Sequence, residues 1–166
     1  MNDAYYEQLV SRKSRPQDLV IRILTIVIIA AVMVITFPLI GTLSLLITVA
    51  LAFGAYYLVF PKLSVEYEYV LLNHDLEIDA IYSKSKRKKQ MTLDLQTAEI
   101  IAPAGSHELD SFHAAKTIDY TSGNSDNKSY AVMTFIDQKN VCILIEPDET
   151  MLNHMKSWLG MKLKLI

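Results

Sequence analysis

Cysteine is almost absent from this chain of 166 residues. The single cysteine, Cys142, cannot form an internal disulfide, so nothing in the composition favours an oxidising compartment. It lies in an apolar run from Val141 to Ile145. We interpret it as a small buried hydrophobic residue of a strand.

Glycine is also scarce. None of the five glycines stands in a G-x-x-x-x-G-K or G-x-G-x-x-G setting, which excludes the common phosphate-binding loops. The sequence therefore predicts no cofactor, and it shows no evident small-molecule substrate. The net charge of −2 gives no argument for nucleic-acid binding.

The four histidines lack metal-ligand spacing. His107 and His113 share a loop with Glu108 and Asp110, which could gather a divalent ion, but a polar loop without a metal is the expected structure. Ser106, bunched with His107 and Asp110, lacks the separate rigid supports that a hydrolase triad needs. We predict no catalytic residue and no metal site, and thus a protein that is not an enzyme.

Charged side chains are missing between Arg22 and Lys62, where nearly every residue is apolar. A helix crosses a bilayer with about 20 apolar residues, and this stretch is nearly twice as long. Pro38 and Gly41 interrupt it near the midpoint. The sequence predicts a hairpin of two transmembrane helices, the first about Leu19 to Phe37 and the second about Thr42 to Phe60.

Three parts follow from this division: an N-terminal segment 1–18, the transmembrane hairpin 19–61 and a β domain 62–166. A buried hairpin in a soluble protein is disfavoured, because residues 62–166 could not cover two helices that are apolar on every face. A cleaved signal peptide is disfavoured because the apolar run is too long and a second span follows directly.

Basic residues predict the orientation of the hairpin. Arg12, Lys13, Arg15 and Arg22 precede or begin the first span, and Lys62 follows the second. Since the connecting turn has no charge, we expect a multi-pass protein of the cell membrane with both termini in the cytoplasm. Three aromatic residues should lie at headgroup depth near the end of the second span: Tyr56, Tyr57 and Phe60.

No charged residue lies at mid-membrane depth, which argues against a proton pathway or an ion channel. The polar side chains in the spans are hydroxyls, which can bond to carbonyls one turn earlier or across helices. They belong to Thr25, Thr36, Ser44 and Thr48.

Beyond Ser64 the apolar residues alternate with polar ones, as in half-buried strands. Seven short strands are predicted. They centre on Val65–Tyr69, Leu76–Tyr82, Met91–Leu95, Glu99–Ala102, Thr117–Tyr120, Tyr130–Ile136 and Val141–Ile145. Glu66, Glu68, Glu77 and Asp79 are expected on the solvated side of the first two strands.

A final amphipathic helix is predicted after Pro147, with Asp148 as its N-cap and Gly160 at its end. Its apolar face has helical spacing and would cover one end of the strands. That face comprises Met151, Leu152, Met155, Trp158 and Leu159.

The order of these elements resembles small bacterial membrane proteins in which a PH-like (pleckstrin-homology-like) domain follows a two-helix hairpin. The similar stretch runs from Glu68-Tyr69-Val70-Leu71-Leu72 through Asn73-His74-Asp75 and Lys86-Arg87-Lys88-Lys89 to Met91-Thr92-Leu93-Asp94-Leu95. The resemblance implies a seven-stranded PH-like barrel or sandwich capped by a C-terminal helix. The loop Asn73-His74-Asp75 is not basic, so inositol-phosphate recognition is not carried over.

One concentration of charge stands out, at a predicted hairpin tip. Near a cytoplasmic leaflet such residues attract anionic lipid, although lysines at a tip can also serve only to discourage edge pairing. The candidate lipid contacts are Lys84, Lys86, Arg87, Lys88 and Lys89.

Two functions remain open on the sequence alone. The first is a non-enzymatic membrane protein whose cytoplasmic PH-like domain serves as an interaction or scaffolding module. The second is sensing of an anionic membrane surface through residues 84–89. The partners would be the bilayer and a protein or a second copy of the chain, which an unpaired strand edge could recruit.

Overall fold

The computed structural model describes residues 5–165 and divides into two compact units. The first unit joins the N-terminal stretch ending at Arg12 to Glu66–Ile81 and to the stretch beginning at Arg87. The second unit contains Lys13–Val65 and Tyr82–Lys86. Residues 1–4 of the predicted N-terminal segment, and residue 166 at the end of the predicted β domain, lie outside the described residues.

Two long helices make up most of the second unit. Helix α1 spans Pro16–Ile40, and α2 spans Leu43–Gly54. Beyond α2 the helix widens to a π-helical segment, Ala55–Val59, and then tightens to a 3₁₀ turn, Phe60–Leu63. Pro16–Ile40 and Leu43–Leu63 are each long and apolar enough to cross a membrane.

Local chemistry sets both ends of α1. Pro16 occupies the first turn, where its missing N–H costs nothing, and the Asp18 carboxylate accepts the Arg15 N–H at 2.9 Å. The helix ends because Gly41 adopts a positive φ of 58°, and its N–H donates to the Phe37 carbonyl at 2.8 Å.

The predicted end of α1 at Phe37 is wrong, because Pro38 lies inside the helix. A proline in the last turn removes only its own N–H, and the two residues that follow, Leu39 and Ile40, still complete the helix. The hydroxyl prediction is confirmed at three positions. Thr25 donates to Ile21, Thr36 to Val32 and Thr48 to Ser44, each at 2.7–2.9 Å to the carbonyl one turn earlier.

The described residues form eight strands in two four-stranded sheets, not the predicted seven-stranded arrangement. The strand order is β1-β2-β3-β4 in one sheet and β5-β7-β8-β6 in the other. The strands are β1 (Tyr5–Ser11), β2 (Val65–Leu72), β3 (Asp75–Tyr82), β4 (Lys86–Asp94), β5 (Ile100–Pro103), β6 (Lys116–Asp119), β7 (Tyr130–Ile136) and β8 (Lys139–Ile145).

The additional strand, β1, precedes the helical hairpin. It pairs antiparallel with β2 over seven residues, from Tyr5 opposite Leu72 to Ser11 opposite Glu66. In the sequence, both helices thus come between two strands that are neighbours in one sheet. The sequence assigned residues 1–18 to an N-terminal segment and predicted no strand there, and residues 5–11 of that segment pair with the first strand that follows the helices.

One hydrophobic cluster joins the two sheets to the C-terminal helix α3, Glu149–Leu159. Its fully buried members include Tyr69, Ile78 and Ile143. The predicted start of α3 is confirmed, because the Asp148 side chain accepts the Met151 N–H at 2.8 Å. The buried residues of α3 are all on the predicted apolar face, and they are Met151, Met155 and Leu159.

Candidate functional site

The five basic residues predicted to contact lipid lie mainly on a strand and not at a hairpin tip. The turn between β3 and β4 needs only Ser83–Ser85, closed by the Ser85 N–H donating to the Tyr82 carbonyl at 3.1 Å. Ser83 and Lys84 both have positive φ, as tight hairpin turns require. Strand β4 begins at Lys86 and pairs with β3. Four of the five candidate lipid contacts, from Lys86 to Lys89, therefore lie on this strand.

This turn belongs to the unit that contains the two apolar helices. The Ser83 N–H donates to the Ser64 carbonyl at 2.9 Å, which holds the turn against the chain leaving the second helix. Lys84 and Lys86 are exposed there.

Within the first unit, two cations of the cluster are held by acidic residues. Arg87 donates to the Glu68 carboxylate, and its Nε lies 3.7 Å from Asp79 Oδ2. Lys89 Nζ lies 2.9 Å from Glu77 Oε2. In the described part of the chain, ion pairs are absent from Lys84, Lys86 and Lys88, so these three remain available to an external anion.

The acidic residues are not all solvated, as was expected of them. Glu68 is only 2% exposed and Asp79 only 5%, whereas Glu66 and Glu77 are half-buried. A buried carboxylate is tolerated when a cation and hydrogen bonds satisfy it, and Arg87 supplies that partner for Glu68. The position of Arg87 opposite β2 and β3 is therefore structural.

Glu68 also meets a carboxylate from β1. Burial raises the pKa of Glu68 above its ordinary value, the hydrogen bond with Glu7 raises it further, and Arg87 opposes both. The pKa of Glu7 is lowered, first by the hydrogen bond from the Tyr5 hydroxyl, at 2.6 Å, and then by that with Glu68. As the pH falls, Glu68 is therefore protonated more readily than Glu7.

A cleft of about 430 Å³ lies within the second unit, which we name the aromatic cleft. One wall comes from the end of the second helix, with Tyr56, Tyr57, Phe60 and Pro61. The other comes from the turn and the start of β4, with Ser83, Ser85 and Lys86. The rings of Tyr56 and Tyr57 meet edge to face, with centroids 5.2 Å apart.

The histidine loop forms no metal or catalytic constellation in residues 5–165. His107 is exposed in a 3₁₀ turn, and its Nδ1 lies 3.1 Å from the exposed Asp110 carboxylate. Ser106 Oγ is buried and has no hydrogen-bond partner in that range. No group of three His, Cys, Asp or Glu side chains there could hold a metal ion.

Sequence reasoning missed β1 and its role beside Glu68. Residues 5–11 show no regular alternation of apolar and polar residues, so their sequence did not predict a strand. Only in the structure are Tyr6, Gln8 and Val10 less exposed than their neighbours. The Glu68–Arg87 pair was also missed, because 19 residues separate its members and only strand pairing joins them.

The structure thus defines a β domain of two four-stranded sheets, with two apolar helices in the sequence between its first two strands. The chain belongs to the family described as bacterial PH-like domain (DUF6106), whose model matches residues 2–165. This confirms the resemblance drawn from the order of the elements. No curated protein and no solved structure matches the chain.

Proposed function

We propose that the chain is an integral membrane protein. The observation that supports this is that its helices are at once strongly apolar and exposed. None of the most apolar part of α1 is buried, and side chains such as Val34 and Leu39 are more than 70% exposed. So large an apolar surface is unfavourable in water and matches a bilayer interior.

Both termini lie in the cytoplasm in this proposal. Pairing of β1 with β2 supports it, because the chain before the first helix and the chain after the second join one sheet. Two strands in the same sheet must be on the same side of a bilayer. The basic residues flanking the hairpin favour the cytoplasmic side.

The PH-like domain acts as a non-enzymatic interaction module. PH-like domains are usually non-catalytic, which supports this assignment. The partner that the geometry supports best is the anionic surface of the membrane itself. The observation that supports this partner is the Ser83–Ser64 hydrogen bond, which joins the turn Ser83–Ser85 to the end of the second helix. Lys84 and Lys86, which belong to the same unit as the helices, would meet lipid headgroups, each contributing about 1 kcal/mol.

Hydrogen–deuterium exchange of the full chain in nanodiscs tests this contact. We expect slower exchange in residues 83–86 when phosphatidylglycerol is added to phosphatidylcholine, and partial reversal as salt is raised. The turn at Asp137 and Gln138 is an internal control, since it has the same pair of positive φ angles but lies in the first unit.

Charge variants complete the test. Replacing Lys84 and Lys86 by alanine should abolish the effect of phosphatidylglycerol, whereas replacing the exposed Lys116 and Lys128 should leave it intact. Exchange in residues 83–86 that ignores lipid charge would overturn lipid contact.

A protein partner, or a second copy, is the second candidate. Strand β1 is an edge of its sheet in the described residues and exposes Tyr5 and Leu9 by more than half. Such an edge can accept an added strand. A photo-crosslinking residue at Leu9 should then give one discrete adduct that the same residue at Phe135, equally exposed, does not. Equal patterns at the two positions would count against an edge partner.

A further inference from the structure

We infer that the aromatic cleft binds the phosphate headgroup of one anionic phospholipid. This inference rests on the proposed function, and it narrows that function from a charged surface to a single site. The cleft lies where the second apolar helix ends, which is the headgroup depth of a helix that crosses a bilayer.

The lining suits a phosphate. Lys86 supplies a positive charge and N–H donors, and Ser83 supplies a hydroxyl donor on the same wall. The Ser85 hydroxyl on that wall donates to the Tyr82 carbonyl at 3.5 Å. No acidic side chain lines the cleft among the described residues, so no internal carboxylate competes for Lys86. The opposite wall is aromatic and accommodates the glycerol end of a lipid, while the rings of Tyr56 and Tyr57 remain at the interface.

The backbone around the cleft also departs from a regular helix. Pro61 has no N–H, so the Tyr57 carbonyl loses its usual α-helical donor, and the Phe60 N–H instead donates to Ala55 five residues earlier. Such π-helical turns are frequent at functional sites. Here the π-helical segment carries Tyr56 and Tyr57, the two rings of the cleft wall.

The size of the cleft selects a headgroup and not a whole lipid. A volume of about 430 Å³ is at the low end for ligand pockets. It holds a phosphate with a small polar substituent, while the acyl chains would lie along the exposed apolar helices. A neutral zwitterionic headgroup would bring its own cation against Lys86 and bind less well.

Native mass spectrometry of the full chain in detergent tests the site, with phosphatidylglycerol and phosphatidylcholine as probes. We expect one tightly held phosphatidylglycerol per chain. Lys86→Ala should weaken it by at least about tenfold, the effect of a lost charged hydrogen bond, and Lys86→Arg should restore most of it. Lys84→Ala is the matched control, because Lys84 lies two residues before Lys86, in the turn, and does not line the cleft.

Each other outcome overturns the inference in a distinct way. Equal losses from Lys84→Ala and Lys86→Ala without a one-to-one adduct would leave a charged surface and no site. Displacement of the lipid by inorganic phosphate or glycerol phosphate would show a soluble-phosphate site. A lack of preference for phosphatidylglycerol, together with lipid-independent exchange in residues 83–86, would remove both the site and the proposed function.

Discussion

The Asp148 N–H donates to Gln8 Oε1 at 2.9 Å across 140 residues of sequence. Gln8 Nε2 donates in turn to the Glu146 carbonyl at 2.8 Å, so one amide side chain satisfies two backbone groups. Tyr6 adds a hydrogen bond from its hydroxyl to the Asp148 carboxylate and stacks on His154. Strand β1 is therefore joined to the start of α3 as well as to β2.

Gln8→Ala should destabilise the β domain. It would leave the Glu146 carbonyl and the Asp148 N–H without their partner, at a cost of about 1–3 kcal/mol. Thermal and denaturant unfolding of the full chain would measure it. Gln90→Ala is the control, because the Gln90 side chain donates to the nearby Lys88 carbonyl at 3.0 Å. The free energy of unfolding of this variant should stay within about 0.5 kcal/mol of that of the unsubstituted chain. Equal stabilities of the two variants would contradict the role of Gln8.

Gly41→Ala should weaken the helical hairpin. Gly41 has a φ of 58° and a ψ of −136°, a sparsely populated conformation that costs a residue with a Cβ about 1–3 kcal/mol. Gly54→Ala is the matched control, since Gly54 has helical φ and no atom lies within 4 Å of an added Cβ. Thermal stability in detergent should fall for Gly41→Ala and hold or rise for Gly54→Ala. The reverse order would contradict the assignment of the turn.

The pH dependence of stability should report on Glu68. Because its pKa is raised in the folded state, that state holds the Glu68 proton more tightly than the unfolded chain does. The stabilisation that the Glu68 proton contributes is thus present below the unfolded pKa of about 4.3. It is lost as the pH rises through the folded pKa of Glu68. Glu7, whose pKa is lowered, acts in the opposite direction, and its contribution is lost as pH falls through its folded pKa.

Glu68→Gln should remove the loss of folding stability that Glu68 causes as the pH rises. The free energy of unfolding of this variant, relative to the unsubstituted chain, should therefore increase from about pH 4 upward. Urea titrations at several pH values would measure that difference. Glu66→Gln removes a half-buried carboxylate of the same strand and serves as the control. A constant difference between Glu68→Gln and the unsubstituted chain at all pH values would refute the raised pKa of Glu68.

Labelling of single cysteines should test the orientation of the hairpin. In a Cys142→Ala background, Thr42→Cys between the helices should react with a membrane-impermeant maleimide in intact cells. Ser11→Cys and Ser125→Cys should react only after permeabilisation, because the proposed topology puts both positions on the cytoplasmic side. Reaction of Ser11→Cys and Ser125→Cys in different compartments would be incompatible with β1 pairing in the same sheet as β2.

Much of the fold was predictable because it depends on neighbouring residues. The uncharged stretch, the alternation in the later strands and the Asp148 cap each act over a few positions, and the structure has a corresponding element for each. The end of α1 was predicted three residues early, because Pro38 was taken as the end of the helix. The positive φ of Gly41 ends it instead.

The candidate site was less predictable, because its parts are distant in sequence. Five basic residues looked alike in the chain, and strand pairing separates them. Arg87 and Lys89 face carboxylates of β2 and β3, whereas Lys86 lines a cleft with Tyr56 and Tyr57. Composition cannot distinguish a cation that satisfies a buried carboxylate from one that is free to bind a ligand.

By itself, the sequence determined two apolar helices, a mainly β domain with a C-terminal helix, and the family to which the chain belongs. These follow from hydrophobic periodicity and local caps, which act within a turn or a strand. Only the tertiary structure decided that β1 joins the sheet, that Glu68 is buried against Arg87, and that Lys86 meets the aromatic cleft. Those contacts form between residues 19 to 140 positions apart, where the register of paired strands and the packing of the core choose the neighbours.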